Sequence, residues 1–539
     1  MLLFPVTIIS YGQTITNKKI DINGITGSIS AIGELHPTLL EAPAGSNKST
    51  IWMGELRVAG IDANGNVHGA FVNNSWQTDF FQGPVMGTGF YSLANDSIWN
   101  QVWKINKTTI DSFRLGLFSI IPPEILSWPG NGDVAQGQAL QLAPYVDVNG
   151  DNFYQPLDGD YPCIRGDQAL FTIFNDDRNN HFTNSMKLKI EVHAMMFAYK
   201  SPGSWLDSVI FLNYKIYNRS DTVYYNTSFA NFIDFDIGDY SDDYVGCDVS
   251  RHLYFGYNGD TNDGASPNPA PGTYGANPPA TGVAILQGPP ADINDGIDND
   301  KDGLLDEPGE NCGMSYFIYY NNDFSVMGNP STAAEYFGYM NGFWKDGTPA
   351  TYGGNGFGGS QVSNYMFPGD TDPTNGPPWD ESNAGNIPGD RRVLGVTGKF
   401  TFLPGQVACY DIAFVYGRGT NGNESSVDVI RERTDSARIF HAANPFCACT
   451  TYPVGIGQIS TAPDIRVLPN PFSDRITIEY ATKSSNCYFE LLDATGRICL
   501  TQKISTTSTT IDVQNLPAGI YLLNFVDGTY TTNLRLVKQ

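Results

Sequence analysis

Short runs of alternating and β-branched apolar residues constrain this chain most strongly. Lys187–His193 alternates polar and apolar side chains with period two, and Val209–Tyr217 is rich in β-branched and aromatic residues. The turn residues of Asn218–Asp221 then lead into a further apolar run over Thr222–Phe229. Period-two patterns separated by short turns predict strands that are packed face to face in a β-sandwich.

The composition extends this prediction to the whole chain. The 539 residues include 29 Tyr, 31 Phe, 57 Gly and 33 Pro. Aromatic and β-branched residues favour pleated surfaces, whereas Gly and Pro mark turns. A chain of this length exceeds a single core. The fold class predicted is therefore all-β, with several β-sandwich domains and long loops rich in Gly, Pro and Asp.

The charge balance excludes one class of partner. There are 31 basic and 56 acidic residues, a formal net charge of −25. Such a chain repels nucleic acid phosphates, so no nucleic acid partner is expected. Loop carboxylates are instead suitable ligands for hard cations such as Ca²⁺.

The N-terminus indicates export. Residues 1–12 are mostly apolar, with small residues at Ser10 and Gly12, and are interpreted as a truncated signal peptide, with a strand of the mature protein as the alternative. No other apolar run reaches the ~18 residues of a membrane span, so no transmembrane segment is expected. Some of the eight cysteines are expected to pair in an exported protein. We expect Cys447 or Cys449 to form a disulfide with Cys409 or Cys312.

Shifts in pattern divide the chain into predicted segments. A β-hairpin is predicted from Ser49–Ala59 and Val67–Val72, and helices from Lys107–Arg114 and Ser425–Ala442. The predicted organisation is a signal segment 1–12, an N-terminal β domain 13–160, a β-sandwich passenger domain 161–453 with a calcium-type loop insert 290–313, a linker 454–464 and a C-terminal β domain 465–539.

The most specific chemical motif is an acidic loop that begins at Asp298. Carboxylates at alternating positions can point to one centre, a Gly allows the sharp turn, and the Leu304 carbonyl can add a ligand. The spacing resembles thrombospondin type 3 and dockerin calcium loops. An acidic, unstructured linker is the alternative. The predicted Ca²⁺ ligands are Asp298, Asp300, Asp302, Leu304, Asp306 and Glu307.

A second loop has the ligand spacing of an EF-hand, counted from Asp147. Asn152 stands where Gly is usual, and Asn tolerates a left-handed backbone better than most residues. An Asx-rich turn without a metal is the alternative. The predicted ligands are Asp147, Asn149, Asp151, Phe153 and Asp158.

Catalytic patterns are weak. Asp234 and Asp236 alternate on a strand and, with Asp243, could serve a hydrolase that uses paired carboxylates, bind a cation or be solvated. Zinc-protease and serine-hydrolase motifs are absent from the sequence. Trp344 and Trp379 lie in loops and are the best candidates for exposed rings that stack on sugars. No catalytic residue is assigned, and an enzyme is the less favoured interpretation.

The C-terminal residues carry the clearest family pattern. Three phrases occur in order, at Val467–Phe472, Leu491–Arg497 and Leu516–Leu523, and the chain closes on Leu534–Lys538. Turns between short alternating runs predict about seven strands. Together these phrases resemble the type A sorting domain of type IX secretion substrates in Bacteroidetes.

This resemblance implies an Ig-like β-sandwich that the outer-membrane type IX translocon binds after export to the periplasm. It also implies removal by a sortase-like peptidase between Gly455 and Asp464, and release or attachment to an anionic lipopolysaccharide at the cell surface. The recognition residues that it implies are Pro469, Asn470, Pro471, Gly496, Gly519, Tyr521 and Lys538.

The sequence thus predicts a secreted or cell-surface protein, stabilised by Ca²⁺, with a binding, adhesive or structural role. The passenger resembles large secreted proteins of the same phylum, a resemblance that implies no chemistry. A secreted hydrolase acting on glycans and a carbohydrate-binding module are the alternatives.

Overall fold

The computed structural model describes residues 14–35, 39–73, 77–264, 272–372, 376–447, 465–480, 487–493, 498–503, 507–527 and 530–539. The chain forms two compact units, residues 1–451 and residues 452–539. Within the described residues, no helix is both long and apolar enough to cross a membrane. The predicted signal segment lies outside the described residues.

Most of the first unit is built from strands. They are β1 Asn17–Ile20, β2 Thr26–Ser30, β3 Leu40–Glu41, β4 Ser49–Ile61, β5 Val67–Ala70, β6 Phe81–Gln82, β7 Trp103–Asn106, β8 Tyr145–Val146, β9 Tyr161–Pro162, β10 Gln168–Asn175, β11 Ile190–Ala198, β12 Val209–Asn218, β13 Tyr224–Phe235, β14 Asp243–Asp248, β15 Leu253–Asn258, β16 Asn262–Asp263, β17 Gly275–Ala276, β18 Ala280–Gln287, β19 Met314–Asn321, β20 Arg391–Phe402 and β21 Val407–Gly417.

Helices are few and mostly short in the described part of this unit. They are α1 Leu93–Trp99, α2 Lys107–Arg114, α3 Pro123–Leu126, α4 Ala333–Tyr339 and α5 Glu424–Ala443. The predicted helices at 107–114 and 425–442 are confirmed as α2 and α5. In α5 the side chains of Val427, Ile430, Thr434, Ala437 and His441 are buried, and their spacing of three and four residues puts them on one face.

Two large antiparallel sheets form the body of this unit. Among the described residues, sheet 1 has the strand order β1-β2-β3-β4-β13-β20-β19 with β5 beside β4, and sheet 2 has the order β14-β15-β18-β21-β12-β11-β10-β6 with β7 beside β10. Strands β12 and β13 are consecutive in the chain yet belong to different sheets. The turn after Asn218 therefore crosses from one layer to the other, as the sandwich prediction requires.

Sheet 2 is buried on both faces. Leu170 and Phe174 of β10 lie in the core between the two sheets. Phe171 and Ile173 of the same strand lie in a second core, to which α5 and the α2–α3 region contribute. Strands β10 and β11 are consequently buried along their whole lengths.

The predicted boundary at residue 160 is wrong, because both sheets combine strands from either side of it. Strand β4 pairs with β13 in sheet 1, where Val58 faces Phe229, and β7 pairs with β10 in sheet 2. Non-local pairing of this kind leaves no local signal in the sequence. The predicted hairpin is confirmed as β4 and β5, with Ile61 opposite Val67.

One predicted disulfide is present. Cys409 of β21 is bonded to Cys447, with 5.9 Å between their Cα atoms. This confirms the expectation that Cys447 or Cys449 pairs with Cys409 or Cys312. Cys312 is a buried free thiol, and Cys449 lies outside the described residues.

The second unit is a small two-layer β structure. Its described strands are β22 Ile465–Leu468, β23 Arg475–Tyr480, β24 Cys487–Asp493, β25 Ile498–Lys503, β26 Ser508–Asp512, β27 Gly519–Asp527 and β28 Tyr530–Lys538. They form two sheets, with the orders β22-β23-β26 and β25-β24-β27-β28. Both sheets contribute to one hydrophobic core, which includes Ile476, Ile478, Phe489, Leu523 and Phe525. The prediction of about seven strands around one core is confirmed.

Candidate functional sites in the acidic loops and the C-terminal unit

The acidic loop between β18 and β19 brings three of its predicted ligands together. Carboxylate oxygens of Asp298, Asp300 and Asp302 lie within 4.8 Å of one another. Asp298 Oδ1 accepts a hydrogen bond from the Asp302 amide at 3.1 Å, and Asp298 Oδ2 accepts from the Gly303 amide at 3.0 Å. Gly303 has a φ of +96°, which a residue without a Cβ adopts at low cost. The local turn thus forces three negative charges into proximity.

The remaining predicted ligands of this loop have other environments. Asp306 turns away and accepts hydrogen bonds from the amides of Asp295 and Gly296. Glu307 joins Asp300 in a second acidic group with Glu310, which the sequence analysis missed. Leu304 follows the turn and donates its amide to Asp302 Oδ1 at 2.8 Å.

Partial burial and the neighbouring charges raise the pKa of Asp300. Burial of the carboxylate is the largest cause, and the negative charges of Asp302 and Asp298 add to it. The ammonium of Lys301 lies over the ring of Tyr365, 5.4 Å from the ring centroid. Lys301 therefore does not neutralise the Asp300 carboxylate through a hydrogen bond. A hard divalent cation stabilises an arrangement of this kind, in which negatively charged oxygen ligands outnumber the nearby positive groups.

A buried histidine holds this loop against the sandwich. His252 Nδ1 accepts a hydrogen bond from the Met314 amide at 3.1 Å, and its Nε2 lies 2.9 Å from the carbonyl oxygen of Asp300. A neutral imidazole has one donor and one acceptor, so Nε2 is the donor to Asp300. Burial and the positive charge of Arg438 lower the pKa of His252 to about 4, which keeps the ring neutral. The scattered histidines in the sequence did not reveal this contact.

The loop at Asp147 is a network of Asx turns. Asp147 accepts hydrogen bonds from the amides of Gly150 and Asn152, both at 2.7 Å, and Asp151 accepts from Phe153 at 2.8 Å and from the side chain of Gln155 at 3.0 Å. Asn149 accepts from the Asp151 amide at 3.1 Å. Asn152 has a φ of +64°, as expected from its tolerance of a left-handed backbone.

Asp160 closes this loop, and Asp158 does not. Asp160 is completely buried, with Oδ1 accepting from the Val148 amide and Oδ2 from the Gln155 amide, both at 2.8 Å. Asp158 lies in an exposed 3-10 turn. The described part of the chain does not gather Asp147, Asp151 and Asp158 into one group of carboxylates. The acidic residue just after Gly159 was visible in the sequence but lies beyond the EF-hand spacing.

Asp234 in β13 and Asp236 just after it lie in an acidic group in which Asp234 is buried and the other members are half-buried. Asp234 and Asp236 have carboxylate oxygens within 4.8 Å of each other and of Asp390, which the sequence analysis did not select. Asp243 is not a member, because its Oδ2 accepts from the Ile237 amide on the neighbouring turn. Asp234 is only 3% exposed, so its carboxylate does not face an open cleft.

The predicted exposure of Trp344 and Trp379 is wrong. Their exposed fractions are 1% and 3%, and their indole nitrogens donate to the carbonyls of Gly356 and Gly354. Trp379 packs edge-on against Phe367. The loop composition gave no sign of this burial, because both rings pack into the hydrophobic core of the first unit.

In the C-terminal unit, the first phrase, Val467–Phe472, meets the closing residues of the chain near the end of the last strand. The Phe472 amide donates to the Val537 carbonyl at 2.8 Å, and the Val537 amide donates to Asn470 Oδ1 at 2.9 Å. The Gln539 amide in turn donates to the Phe472 carbonyl at 2.9 Å. Pro469 and Pro471 flank Asn470 and are exposed. The turn 469–471 is thus attached to the final residues of the chain.

The third phrase joins the same group through Lys538 and Tyr521. Lys538 is 7% exposed, and its ammonium donates to the carbonyls of Val513 and Gln514. Lys538 is paired with Gly519 across β27 and β28. Tyr521 is 4% exposed, and its hydroxyl donates to the Pro517 carbonyl at 2.7 Å. Of the residues implied by the resemblance, Gly496 alone lies outside the described residues.

Comparison with solved structures gives matches of low similarity. The chain is similar to PorZ, a surface component of the type IX secretion system of Porphyromonas gingivalis (19% identity over 14% of this chain and 11% of that chain, TM-score 0.12). It is also similar to a polysaccharide lyase (8% identity, 74% and 37% coverage, TM-score 0.19) and to the BSP domain of a biofilm-associated protein (8%, 97% and 81%, TM-score 0.13). The chain thus spans 11% of PorZ and 37% of the lyase. At these TM-scores none of the three structures informs fold or function.

Comparison with family models identifies the C-terminal unit. A comparison with curated proteins finds no match to the sequence. Residues 466–539 match the model of the secretion system C-terminal sorting domain, and these residues coincide with the unit in which Phe472, Tyr521 and Lys538 converge. Residues 466–539 are therefore a secretion-system sorting domain, and the chain is a secreted, cell-surface protein exported by the type IX secretion system.

Proposed function

We propose that the first unit is a calcium-stabilised β-sandwich with a binding or adhesive role at the cell surface. The observation that carries this proposal is the convergence of Asp298, Asp300 and Asp302 within 4.8 Å. Exported proteins meet millimolar Ca²⁺, at which loop sites of modest affinity are filled. The burial of Asp234 supports a role other than glycan hydrolysis, because a substrate needs access to a catalytic carboxylate.

Calcium bound in this loop would order the segment between β18 and β19. Asp298, Asp300 and Asp302 supply the carboxylate ligands, and Glu307 and Glu310 lie next to Asp300 to extend the set. His252 already fixes the Asp300 backbone to the sandwich core. The cation would relieve the repulsion between the carboxylates and raise the free energy of unfolding of the first unit.

The calcium proposal is tested by the melting temperature of the full chain with EGTA and with millimolar CaCl₂. We expect an increase of a few degrees with Ca²⁺ in the native chain, since a ligand at a hundredfold excess over its Kd adds about 2.7 kcal/mol. The variant D298N/D300N/D302N should lose most of this increase. The variant D221N/D370N/D428N removes three exposed acidic groups elsewhere and should keep it. An equal response in both variants would refute the proposed site.

The partners of the C-terminal unit are the second part of this proposal. It acts as a type A sorting domain that the type IX translocon binds, and a sortase-like peptidase cleaves the chain between Gly455 and Asp464, outside the described residues. Transfer to an anionic lipopolysaccharide would anchor the first unit. The exposed turn 469–471 supports recognition of this unit, and buried Lys538 supports it by stabilising the fold.

Export is tested in a Bacteroidetes host by protease treatment of intact cells. We expect the full chain to be cleaved by added protease and the chain without residues 466–539 to remain protected in the periplasm. Mass spectrometry of the mature surface protein should place its C-terminus between residues 455 and 464. Surface exposure without residues 466–539 would exclude the sorting role. A glycan array with the surface form then tests the binding role.

A further inference from the structure

A second, independent acidic group lies where β13 ends and β20 begins. Asp234 is opposite Arg392 and Phe235 is opposite Arg391 in this antiparallel pair. Continuing the register by one residue places Asp236 across from Asp390. The register therefore explains why carboxylate oxygens of Asp234 and Asp236 lie within 4.8 Å of one from Asp390, which is distant in sequence.

This group has more negative than positive charge. Arg392 Nε donates to Asp234 Oδ2 at 3.1 Å, and the same guanidinium is bonded to the side-chain oxygens of Asn322 and Asn329. Neighbouring Arg391 is not available, since it forms a salt bridge with buried Glu381 at 3.0 Å. Three carboxylates therefore share one guanidinium, which would leave two negative charges uncompensated if all three were ionised.

Two carboxylate oxygens of this group are shielded from solvent and have no hydrogen-bond partner among the described residues. Asp234 Oδ1 is shielded from solvent and accepts no hydrogen bond, whereas Asp234 Oδ2 is held by Arg392. The Asp234 side chain is 5% exposed. Asp390 Oδ1 is likewise shielded and without a hydrogen bond, while its Oδ2 accepts from the Asn322 side chain at 2.9 Å. Such an oxygen is costly unless a proton or a cation satisfies it.

The same environment opposes ionisation in the absence of a cation. Burial is the main reason that the pKa of Asp234 is raised to about 7, and the negative charge of Asp390 contributes to this increase. Burial and the charges of Asp234 and Asp390 raise the pKa of Asp236 to about 8. A divalent cation would reverse this effect, because it favours the deprotonated carboxylates.

We propose that Asp234, Asp236 and Asp390 bind a divalent cation of the hard, oxygen-preferring class, with Ca²⁺ the favoured ion. Asp234 Oδ1 and Asp390 Oδ1 are the unpartnered oxygens that would face the ion, and Asp236 supplies the third carboxylate. Arg392 is a positioning residue, which holds Asp234 by its other oxygen. This site is distinct from the loop at Asp298, and the ion would join the end of β13 to the start of β20.

The experiment counts ions bound to the full chain. The protein is stripped with EDTA, equilibrated with millimolar CaCl₂, passed over a desalting column and analysed by native mass spectrometry. We expect D298N/D300N/D302N to retain a bound ion that is lost when D236N is added. We also expect D236N in the native background to bind one ion fewer than the native chain. A D390N variant repeats the measurement should D236N fold poorly by circular dichroism.

Several outcomes separate this inference from the proposed function. Equal ion counts in the native chain and in folded D236N and D390N variants would overturn the site at Asp234. That result leaves the loop at Asp298 untouched, because loss of an ion in D298N/D300N/D302N alone tests that loop. The control variant D370N removes an exposed acidic group outside both clusters and should not change the count.

Discussion

The Nε2 atom of His252 donates a hydrogen bond of 2.9 Å to the carbonyl oxygen of Asp300, in the middle of the acidic loop. Its Nδ1 atom accepts from the Met314 amide at the start of β19. The ring is 4% exposed. It packs so closely against Gly313 that a Cβ added to that residue would lie 2.4 Å from the ring. The neutral, buried imidazole of His252, in the turn after β14, therefore joins the acidic loop to β19 through two directional hydrogen bonds.

Substitution His252→Phe should loosen the acidic loop. Phe retains a planar ring of similar size but leaves the Asp300 carbonyl and the Met314 amide unpaired, at a cost of about 1–3 kcal/mol for each group that stays buried. We expect faster amide hydrogen exchange in residues 298–303 and a weaker response to Ca²⁺. The matched variant is His193→Phe, at a buried histidine that bonds Glu191 on β11. It should lower stability without affecting exchange in the loop, and equal exchange in both variants would contradict the anchoring role.

Asp160, rather than Asp158, should determine the stability of the loop at Asp147. Replacing the completely buried Asp160 with Ala removes the acceptor of the Val148 and Gln155 amides. We expect a loss of about 2–4 kcal/mol in the free energy of unfolding, measured by chemical denaturation of the first unit. Asp158→Ala serves as the control, because an exposed side chain of this kind changes stability by about 0.5 kcal/mol at most. The opposite ranking of the two variants would favour the EF-hand spacing.

The strands and turns of this protein could be predicted because their signals are local. The β-branched and aromatic run over Val209–Tyr217 and the turn after Ile61 are each contained within a few residues, and the spacing from Asp298 to Asp302 was sufficient to bring those carboxylates together. The sequence spacing alone could not show that Asp306 lies outside this group of carboxylates. Its backbone takes a φ of +54° and directs its side chain to the preceding turn.

What could not be predicted depends on contacts between distant residues. Asp390 joins Asp234 because β13 and β20 pair in one register, and the bonded residues Asp234 and Arg392 are 158 positions apart. Strand β4 pairs with β13 through a similar contact between distant residues. This pairing is why the predicted boundary at residue 160 is wrong. Trp344 and Trp379 lie in segments whose composition indicates exposed loops, yet both rings belong to the same hydrophobic core as Leu170 and Phe174.

Stability of the first unit should fall as the pH rises through the range where Glu55 and Glu34 ionise. Burial raises the pKa of Glu34 to about 7, and burial together with the charge of Glu34 raises the pKa of Glu55 well above its usual value. Above an unfolded pKa of about 4.5 the unfolded chain has released protons that the folded chain still holds. The favourable contribution of Glu34 is therefore complete below about pH 4.5 and is lost as the pH rises through 7, by about 3 kcal/mol.

The variant Glu55→Gln isolates this effect. Both carboxyl oxygens of Glu55 are buried without a partner among the described residues, and Gln has the same shape without the ionisation. We expect a higher melting temperature than the native chain at pH 8 and a similar one at pH 5, measured by calorimetry. Glu432→Gln changes an exposed residue of α5 and should follow the native curve. A melting temperature of Glu55→Gln that stays below the native value at every pH would show that Glu55 has a favourable ionic role.

Lys538 should link folding of the C-terminal unit to export. Its ammonium is buried and donates to the carbonyls of Val513 and Gln514, and it lies 6.0 Å from the ring centroid of Phe472. Lys538→Met keeps the aliphatic length but leaves the two carbonyls without this donor, so we expect a loss of about 1–3 kcal/mol in this unit. The measurements are hydrogen exchange of β27 and β28 in the full chain and the fraction of the chain reached by protease on intact cells, both compared with Lys503→Met on exposed β25. Normal hydrogen exchange together with reduced protease accessibility would indicate that the translocon recognises the ammonium directly. A parallel change in both measurements would indicate that the translocon recognises the folded unit, which Lys538 stabilises.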